Sequence, residues 1–122
     1  MTDNVNHPHH YADNGPFECI ELTQRYDFCL GNAIKYVWRH NDKGKPVEDL
    51  SKALWYVQRE TDRTGEPGIH MPDDDGLPAR LAVIDFAHMA SFWHALNAGN
   101  LDQMKQAIQS RINTLTKQEE AE

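Results

Sequence analysis

Apolar residues recur every three or four positions over most of this chain, which is the spacing that places side chains on one face of an α-helix. No segment alternates apolar and polar residues for long enough to predict a β-strand. The spacing instead predicts a compact all-α bundle of about five helices. Their expected limits are residues 17–26, 28–40, 46–63, 80–96 and 101–115.

Residues that favour helix ends support these limits. Asp27 is a suitable N-cap for the second helix, and Gly44 can end that helix. Pro46 is suited to the first turn of the third helix, because that position needs no amide hydrogen. Asn100 and Gln103 have the spacing of a capping box at the start of the fifth helix.

Two segments lack helical spacing. Residues 1–16 form a polar segment that we expect to be extended, and residues 66–79 form a long acidic loop with three aspartates and three prolines. We therefore expect a single domain over residues 1–122. It would consist of an N-terminal half (1–65), the loop (66–79) and a C-terminal helical hairpin (80–118).

The composition narrows the class of protein. The chain of 122 residues carries a formal net charge of −7, which argues against binding to duplex nucleic acid because phosphate contacts need a basic surface. Cys19 and Cys29 have neither redox nor zinc spacing, and we expect two reduced thiols. The polar opening and the lack of an apolar run of ~20 residues predict a cytoplasmic protein with no membrane contact.

The expected fourth helix is apolar on almost all sides. Leu81, Ile84 and Phe92 mark one face, and Val83 and Trp93 mark another, so this helix needs neighbours on more than one side. In a chain this short, a second subunit is the simplest source of such neighbours, and we expect a homo-oligomer. The alternative is a monomer whose last two helices fold back over the first three.

The second helix carries the polar stripe most suited to chemistry. Arg39 can hold phosphate oxygens with its planar fork, and Lys35 adds a point charge. The stripe therefore fits a phosphorylated ligand. The alternative is a solvated polar face in ion pairs with the third helix. Its members are spaced by three or four residues and share one face: Asn32, Lys35, Tyr36, Arg39 and Lys43.

The third helix adds acidic, basic and aromatic residues outside its apolar stripe. Glu48 or Asp49 can hold Mg²⁺, an ion that takes one or two carboxylates together with substrate phosphates. Trp55 or Tyr56 can stack on a nucleobase. Alternatively, Glu48 and Lys52 form a simple ion pair along the helix.

Other polar groups give weaker indications. His7, His9 and His10 have no cysteine or carboxylate nearby at zinc spacing. Asp85 with His88 is more typical of a hydrogen-bonded core pair than of a catalytic pair. The chain contains neither the GxxxxGK[ST] P-loop nor the GxGxxG fingerprint, which excludes the standard nucleotide-binding loops.

Four short blocks in the first half of the chain occur in a characteristic order. They read VNHPHHY from residue 5, ECIE from residue 18, LGNAIKYVWR from residue 30, and EDL followed by KALWY from residue 48. In this order they resemble a small phage and prophage family known as a domain of unknown function, with the pattern NHPxHY, ECI-acid, GNxIKYxWR and EDLxKAxWY. Residues from 66 onward match no block of that family.

The resemblance implies a function. One phage member of the family is a nucleotide kinase that lacks a P-loop and acts on deoxynucleoside monophosphates, so the resemblance implies Mg²⁺-dependent phosphoryl transfer to such a substrate. This reaction needs mainly positioning and charge neutralisation. The expected catalytic residues are Lys35, Arg39, Glu48 and Asp49, with Glu48 and Asp49 as metal ligands, and the expected substrate-binding residues are His7, His10, Tyr11, Asn32, Tyr36, Lys43, Lys52, Trp55 and Tyr56.

Three other functions stay open. The chain can be a non-catalytic protein that sequesters a host signalling nucleotide, or a structural helper without a ligand. Its helical layout is also similar to that of the all-α nucleoside triphosphate pyrophosphatases, in which acidic residues on two helices hold Mg²⁺. Glu18, Glu21, Glu48 and Asp49 would take that part, although their spacing differs from the usual acidic motif.

Overall fold

A computed structural model describes residues 15–42, 44–71 and 75–121 and confirms the all-α class. Within these ranges the backbone forms no strand, only one isolated bridge between Tyr26 and Ile69. The same ranges contain α1 (Cys19–Thr23), α2 (Phe28–Arg39), α3 (Pro46–Arg63), α4 (Leu77–Val83), a short 3-10 turn (Phe86–His88), α5 (Ala90–Ala98) and α6 (Leu101–Ala121).

The helices pack around one apolar core. α2 lies against α3, α6 packs on both α3 and α5, α4 packs on α5, and α1 lies against α2. Leu30, Ile34 and Val37 of α2 meet Leu50 and Val57 of α3 in this core, and all five are fully buried. Apolar residues at helical spacing therefore set which face of each helix is buried, and the opposite face of α2 is left to polar residues.

Three helices begin at the residues that the sequence indicates. The carboxylate of Asp27 caps α2 by accepting a hydrogen bond from the Leu30 amide at 3.0 Å, and Pro46 is the first residue of α3. At the start of α6, the Asn100 side chain accepts from the Gln103 amide at 2.9 Å. A capping residue of this kind contributes about 1 kcal/mol. Because no glycine or proline follows, α6 continues well past residue 115.

The first helix is shorter than the predicted range of residues 17–26. α1 covers only Cys19–Thr23, because the chain after it pairs with the loop that follows α3. The Asp27 amide donates to the Gly68 carbonyl at 2.8 Å, and the Arg25 carbonyl accepts from the His70 amide at 2.6 Å. These long-range hydrogen bonds, which local spacing does not reveal, end the helix early.

The prediction of one continuous helix over residues 80–96 is wrong. The chain forms α4, the 3-10 turn and α5 instead. The backbone is left-handed at Asp85 (φ 49°), Ala87 (φ 58°) and His88 (φ 61°), a conformation that non-glycine residues keep only where their surroundings enforce it. The acidic loop is also shorter than predicted, since α4 already begins at Leu77 with a proline in its first turn.

The apolar pattern of this region comes from two short helices that bury different sides. The Phe86 ring between them lies 4.4 Å from the Trp38 ring, and the Phe86 carbonyl accepts a hydrogen bond from Trp93 Nε1 at 3.0 Å. Val83 and Ile84 stay outside the core, at 84% and 56% exposure. The helix with two buried faces, which motivated the homo-oligomer, is therefore not one helix, and the homo-oligomer stays a prediction.

A buried pair of carboxyl groups fixes the loop after α3. Glu60 is fully buried, and its Oε2 accepts from the Gly68 amide at 2.7 Å. Arg63 Nη2 donates to Asp27 Oδ2 at 2.7 Å and lies 3.4 Å from Glu60 Oε1. A side chain at Gly68 would overlap the Asp27 carboxylate. Burial raises the pKa of Glu60, and a hydrogen bond with the Asp27 side chain raises it further.

None of the helices in the described ranges is long and apolar enough to cross a membrane. Both cysteines are free thiols, as predicted. Cys19 is buried against the core, and this burial raises the pKa of its thiol to about 12.

Candidate functional site

Three cationic side chains converge on the Tyr36 ring. Lys35 Nζ lies 4.7 Å from the ring centroid, Arg39 Cζ 5.1 Å and Lys52 Nζ 5.5 Å. Lys35 and Arg39 extend from α2, and Lys52 extends from α3. We call these four residues the Tyr36 cluster. A cation–π contact is worth about 0.5–1 kcal/mol at an exposed site, so the ring positions the charges without neutralising them.

The carboxylates near the cluster neutralise it only in part. Glu48 lies 3.8 Å from Lys52 and 3.9 Å from Lys45, while Asp49 lies 3.7 Å from Arg39. Among the described residues, no carboxylate forms an ion pair with Lys35. The cluster therefore offers a positive charge to an anion from solution.

Arg39 and Asp49 form a buried contact beneath the cluster. The Asp49 side chain is only 5% exposed, and its Oδ2 lies 3.7 Å from Arg39 Nε. Within the described part of the chain, neither of these two atoms has a hydrogen-bond partner. A buried polar group without a partner costs about 1–3 kcal/mol. The contact between Arg39 and Asp49 is therefore an ion pair without a hydrogen bond between these two atoms.

The two expected metal ligands, Glu48 and Asp49, lie in different surroundings. Successive helical residues are rotated by about 100° around the axis. Asp49 consequently faces Arg39, while Glu48 is 54% exposed beside Lys52. No group of three or more His, Cys, Asp or Glu side chains is placed to hold a metal ion in the described ranges.

Two of the acids considered for a pyrophosphatase have a structural role. Glu21 accepts a hydrogen bond from the Glu18 amide at 2.9 Å, and the two residues form a capping box at the start of α1.

A row of aromatic rings continues from the cluster toward the start of α2. Tyr36 and Tyr56 stack with centroids 6.0 Å apart and planes 13° apart. The Tyr56 ring in turn meets the edges of Phe28, at 6.1 Å, and Trp55, at 5.1 Å. Phe28 is 74% exposed and Trp55 is 61% exposed. Both outer rings therefore present a surface on which a planar group can stack.

One more expected site residue lies on the same face as the cluster, and four others lie outside the described ranges. Asn32 lies on the same face of α2, and its side-chain amide donates to the Phe28 carbonyl at 2.8 Å, so its side-chain oxygen is left as an acceptor. The remaining expected residues lie outside the described ranges and are His7, His10, Tyr11 and Lys43.

Phe28 is a candidate site residue that was not predicted from the sequence. This residue precedes Asn32 by four positions and Lys35 by seven, so it belongs to the same stripe of α2. The available signal was an aromatic residue at stripe spacing beside the N-cap. A large exposed aromatic ring next to a cationic cluster is a candidate for ligand contact.

A buried histidine joins the end of α2 to α6. His40 is fully buried, and its Nδ1 donates to the Val37 carbonyl at 2.6 Å. Its Nε2 accepts from Arg111 Nε at 3.3 Å, so the ring is in its neutral form. Burial lowers the pKa of His40, and the positive charge of Arg111 lowers it further, although the Val37 carbonyl opposes both effects. The segment that carries Arg39 is thereby anchored to α6.

One comparison with known proteins relates to this face. Residues 5–58 match the family model described as a protein of unknown function, DUF3310. The matched range contains α1, α2, most of α3 and every residue of the Tyr36 cluster. No curated protein and no solved structure matches the chain. The molecule is thus an all-α protein whose N-terminal part resembles a domain of unknown function.

Proposed function

We propose that the Tyr36 cluster binds the phosphate of a (deoxy)nucleoside monophosphate and that the chain transfers a phosphoryl group to it. The observation that supports this proposal is the convergence of Lys35, Arg39 and Lys52 on one tyrosine ring. Charge-assisted hydrogen bonds from such groups are the usual means of holding phosphate oxygens. The exposed aromatic rings beside the cluster supply stacking surfaces for a base.

In the proposed reaction, a phosphate oxygen of the monophosphate attacks the terminal phosphorus of a nucleoside triphosphate. The bond from that phosphorus to the bridging oxygen breaks as the new P–O bond forms, and two nucleoside diphosphates result. Lys35 and Arg39 neutralise charge on the equatorial oxygens, which is the main catalytic requirement of phosphoryl transfer. The buried Asp49 keeps the guanidinium of Arg39 turned toward the cluster.

Mg²⁺ would supply further charge neutralisation on the phosphates. Of the two candidate ligands, Glu48 fits such an ion better, because its carboxylate is more than half exposed beside Lys52. The Asp49 carboxylate is only 5% exposed, which leaves little room for an ion that keeps several water ligands.

The test is calorimetric titration with the four deoxynucleoside monophosphates. Arg39→Ala and Lys35→Ala should each weaken binding by about tenfold to a hundredfold, since a charged hydrogen-bond donor is worth ~1.5–3 kcal/mol. Lys117→Ala removes an exposed lysine from α6 and should bind like the wild type. Circular dichroism should show unchanged helix content in all three variants. Unchanged affinity in both cluster variants would mean that the stripe is a solvated face.

Turnover is measured separately by chromatography of a mixture of nucleoside triphosphate, monophosphate and Mg²⁺. Formation of diphosphates supports the kinase. Binding without turnover would replace the kinase by a sequestering protein, and triphosphate hydrolysis to monophosphate and pyrophosphate would replace it by a pyrophosphatase. If no nucleotide raises the melting temperature, the kinase, the sequestering protein and the pyrophosphatase are all refuted, and a structural protein without a ligand is the hypothesis that remains.

A further inference from the structure

A groove of about 230 Å³ lies between α1 and α2, next to the Tyr36 cluster. Ile20 on α1 and Phe28 on α2 line it, and they are large apolar side chains with exposures of 54% and 74%. Gly31 brings the two helices close, because a Cβ at this position would lie only 3.1 Å from the Thr23 carbonyl oxygen. The groove is thus an open depression between the two helices, with an apolar side chain on each of them.

The groove and the cluster share a residue. Lys35 lines the groove and is also one of the three cations on the Tyr36 ring. Phe28 and Lys35 are seven residues apart on α2, which is about 10 Å along the helix axis. This span is comparable to the length of a nucleoside monophosphate, whose planar apolar base and charged phosphate are at opposite ends. Along α2, the apolar groove comes first and the cationic cluster second. The base and the phosphate of such a ligand can therefore contact the groove and the cluster at the same time.

The groove also has groups that can recognise the edge of a base. Gln24, the residue directly after α1, lines it, and Asn32 lines it from α2 with its side-chain oxygen available as an acceptor. Asn and Gln amides combine a donor and an acceptor, which is the pattern that base edges present. Trp55, the other exposed ring, does not line this groove.

We propose that the groove lined by Ile20 and Phe28 is the nucleobase subsite of the ligand whose phosphate is held by the Tyr36 cluster, an inference that rests on the proposed function. The base stacks on Phe28, its edge faces Gln24 and Asn32, and Lys35 lies between the base and the phosphate. Phe28 accordingly supplies affinity for any base by stacking, and Gln24 contributes to the preference among bases.

The experiment separates base contacts from phosphate contacts by using two probes, a deoxynucleoside monophosphate and inorganic triphosphate. Stacking of a base on an aromatic side chain gives about tenfold to a hundredfold in affinity. Phe28→Ala should therefore lose that factor for the deoxynucleoside monophosphate and keep the wild-type affinity for inorganic triphosphate. Phe28→Trp retains a stacking surface and should keep both affinities. Gln24→Ala should reduce the difference in affinity among the four bases.

Two other variants complete the design. Val83→Ala removes an equally exposed apolar side chain far along the sequence and should change neither affinity. Trp55→Ala tests the competing platform. If Trp55→Ala loses nucleotide affinity and Phe28→Ala does not, the base lies on α3 and the inference is overturned. It is also overturned if Phe28→Ala loses both probes equally.

The two proposals fail in different ways. If the wild type binds neither probe, the proposed function itself fails, and the base subsite fails with it. If the wild type binds the nucleotide in a manner that depends on Lys35 and Arg39, yet Phe28→Ala and Phe28→Trp both bind it normally, only the base subsite is refuted.

Discussion

The buried carboxyl group of Glu60 makes the stability of this protein depend on pH in a direction that can be derived. Burial and the Asp27 side chain raise the pKa of Glu60 above its ordinary value in the folded state. The folded protein then binds more protons than the unfolded chain, between the unfolded pKa of about 4.3 and the higher folded pKa. The free energy of unfolding therefore falls as pH rises through this window.

Glu60→Gln tests this reasoning because an amide has the shape of the protonated acid. The Gln oxygen can accept from the Gly68 amide, and its NH₂ group can donate to Asp27, so these two contacts are kept. The 3.4 Å contact of Arg63 Nη2 with Glu60 Oε1 is lost, which lowers the stability of the variant by an amount that does not vary with the titration of residue 60. The variant has no proton to lose. The stability of Glu60→Gln should rise relative to wild type as pH increases above the unfolded pKa and should level off once pH exceeds the folded pKa of Glu60. Each unit of pKa shift corresponds to a total rise of about 1.4 kcal/mol.

The assay is thermal unfolding of both proteins at half-unit steps of pH. A change of 1 kcal/mol shifts the melting temperature of a domain of this size by roughly 3–6 °C, which is easily resolved. Glu66→Gln removes an exposed carboxylate from the same loop and should follow the wild-type curve. A difference between Glu60→Gln and wild type that stays constant over the whole pH range would show that Glu60 does not titrate in this window, and the derivation would be refuted.

Three further predictions concern other parts of the molecule. Because burial lowers the pKa of His40, its contribution to stability should be lost as pH falls below ~6.5. The wild type should therefore lose stability on acidification relative to His40→Asn in denaturant titrations, and parallel curves for the two proteins would remove His40 as a cause. Ala87→Gly should raise the melting temperature by a few degrees, because glycine adopts the left-handed φ of 58° without strain and an alanine there costs ~1–2 kcal/mol. A lower melting temperature in the variant would show that no strain is relieved at this position. Light scattering at micromolar concentration should give the mass of two or more chains, and a single-chain mass with and without nucleotide would refute the homo-oligomer.

Local sequence signals predicted the parts of the fold that depend on local interactions. Asp27 and Pro46 indicated the starts of α2 and α3, because capping and proline geometry act within one helical turn. The break near Asp85 was not predictable in this way. It depends on the packing of Phe86 against Trp38, which lies far away in the sequence. The sequence shows that Phe86 is apolar, but it does not show which residue Phe86 packs against.

In the candidate site, too, only the features that depend on local interactions could be predicted. Helical spacing placed Lys35, Tyr36 and Arg39 on one face of α2, and the structure shows this arrangement. Spacing alone did not show that Lys52 reaches the same ring from α3, nor that Asp49 is buried while the adjacent Glu48 is exposed. Those facts depend on the register between two helices, which side-chain packing determines.

The half of the chain beyond the DUF3310 match has a clear physical task, which is to fix α2 and α3. Trp38 is buried against Phe86 and Trp93, and His40 accepts from Arg111. A chain that ended at residue 65 would expose Trp38 and leave His40 without that donor, and each loss is costly for a buried group. Arg39 lies between these two residues in the sequence, and its side chain is rotated by about 100° around the axis of α2 from that of Trp38. The position of the cationic cluster is therefore set by contacts on the buried side of the same helix, and the C-terminal half supplies these contacts without contributing a residue to the cluster.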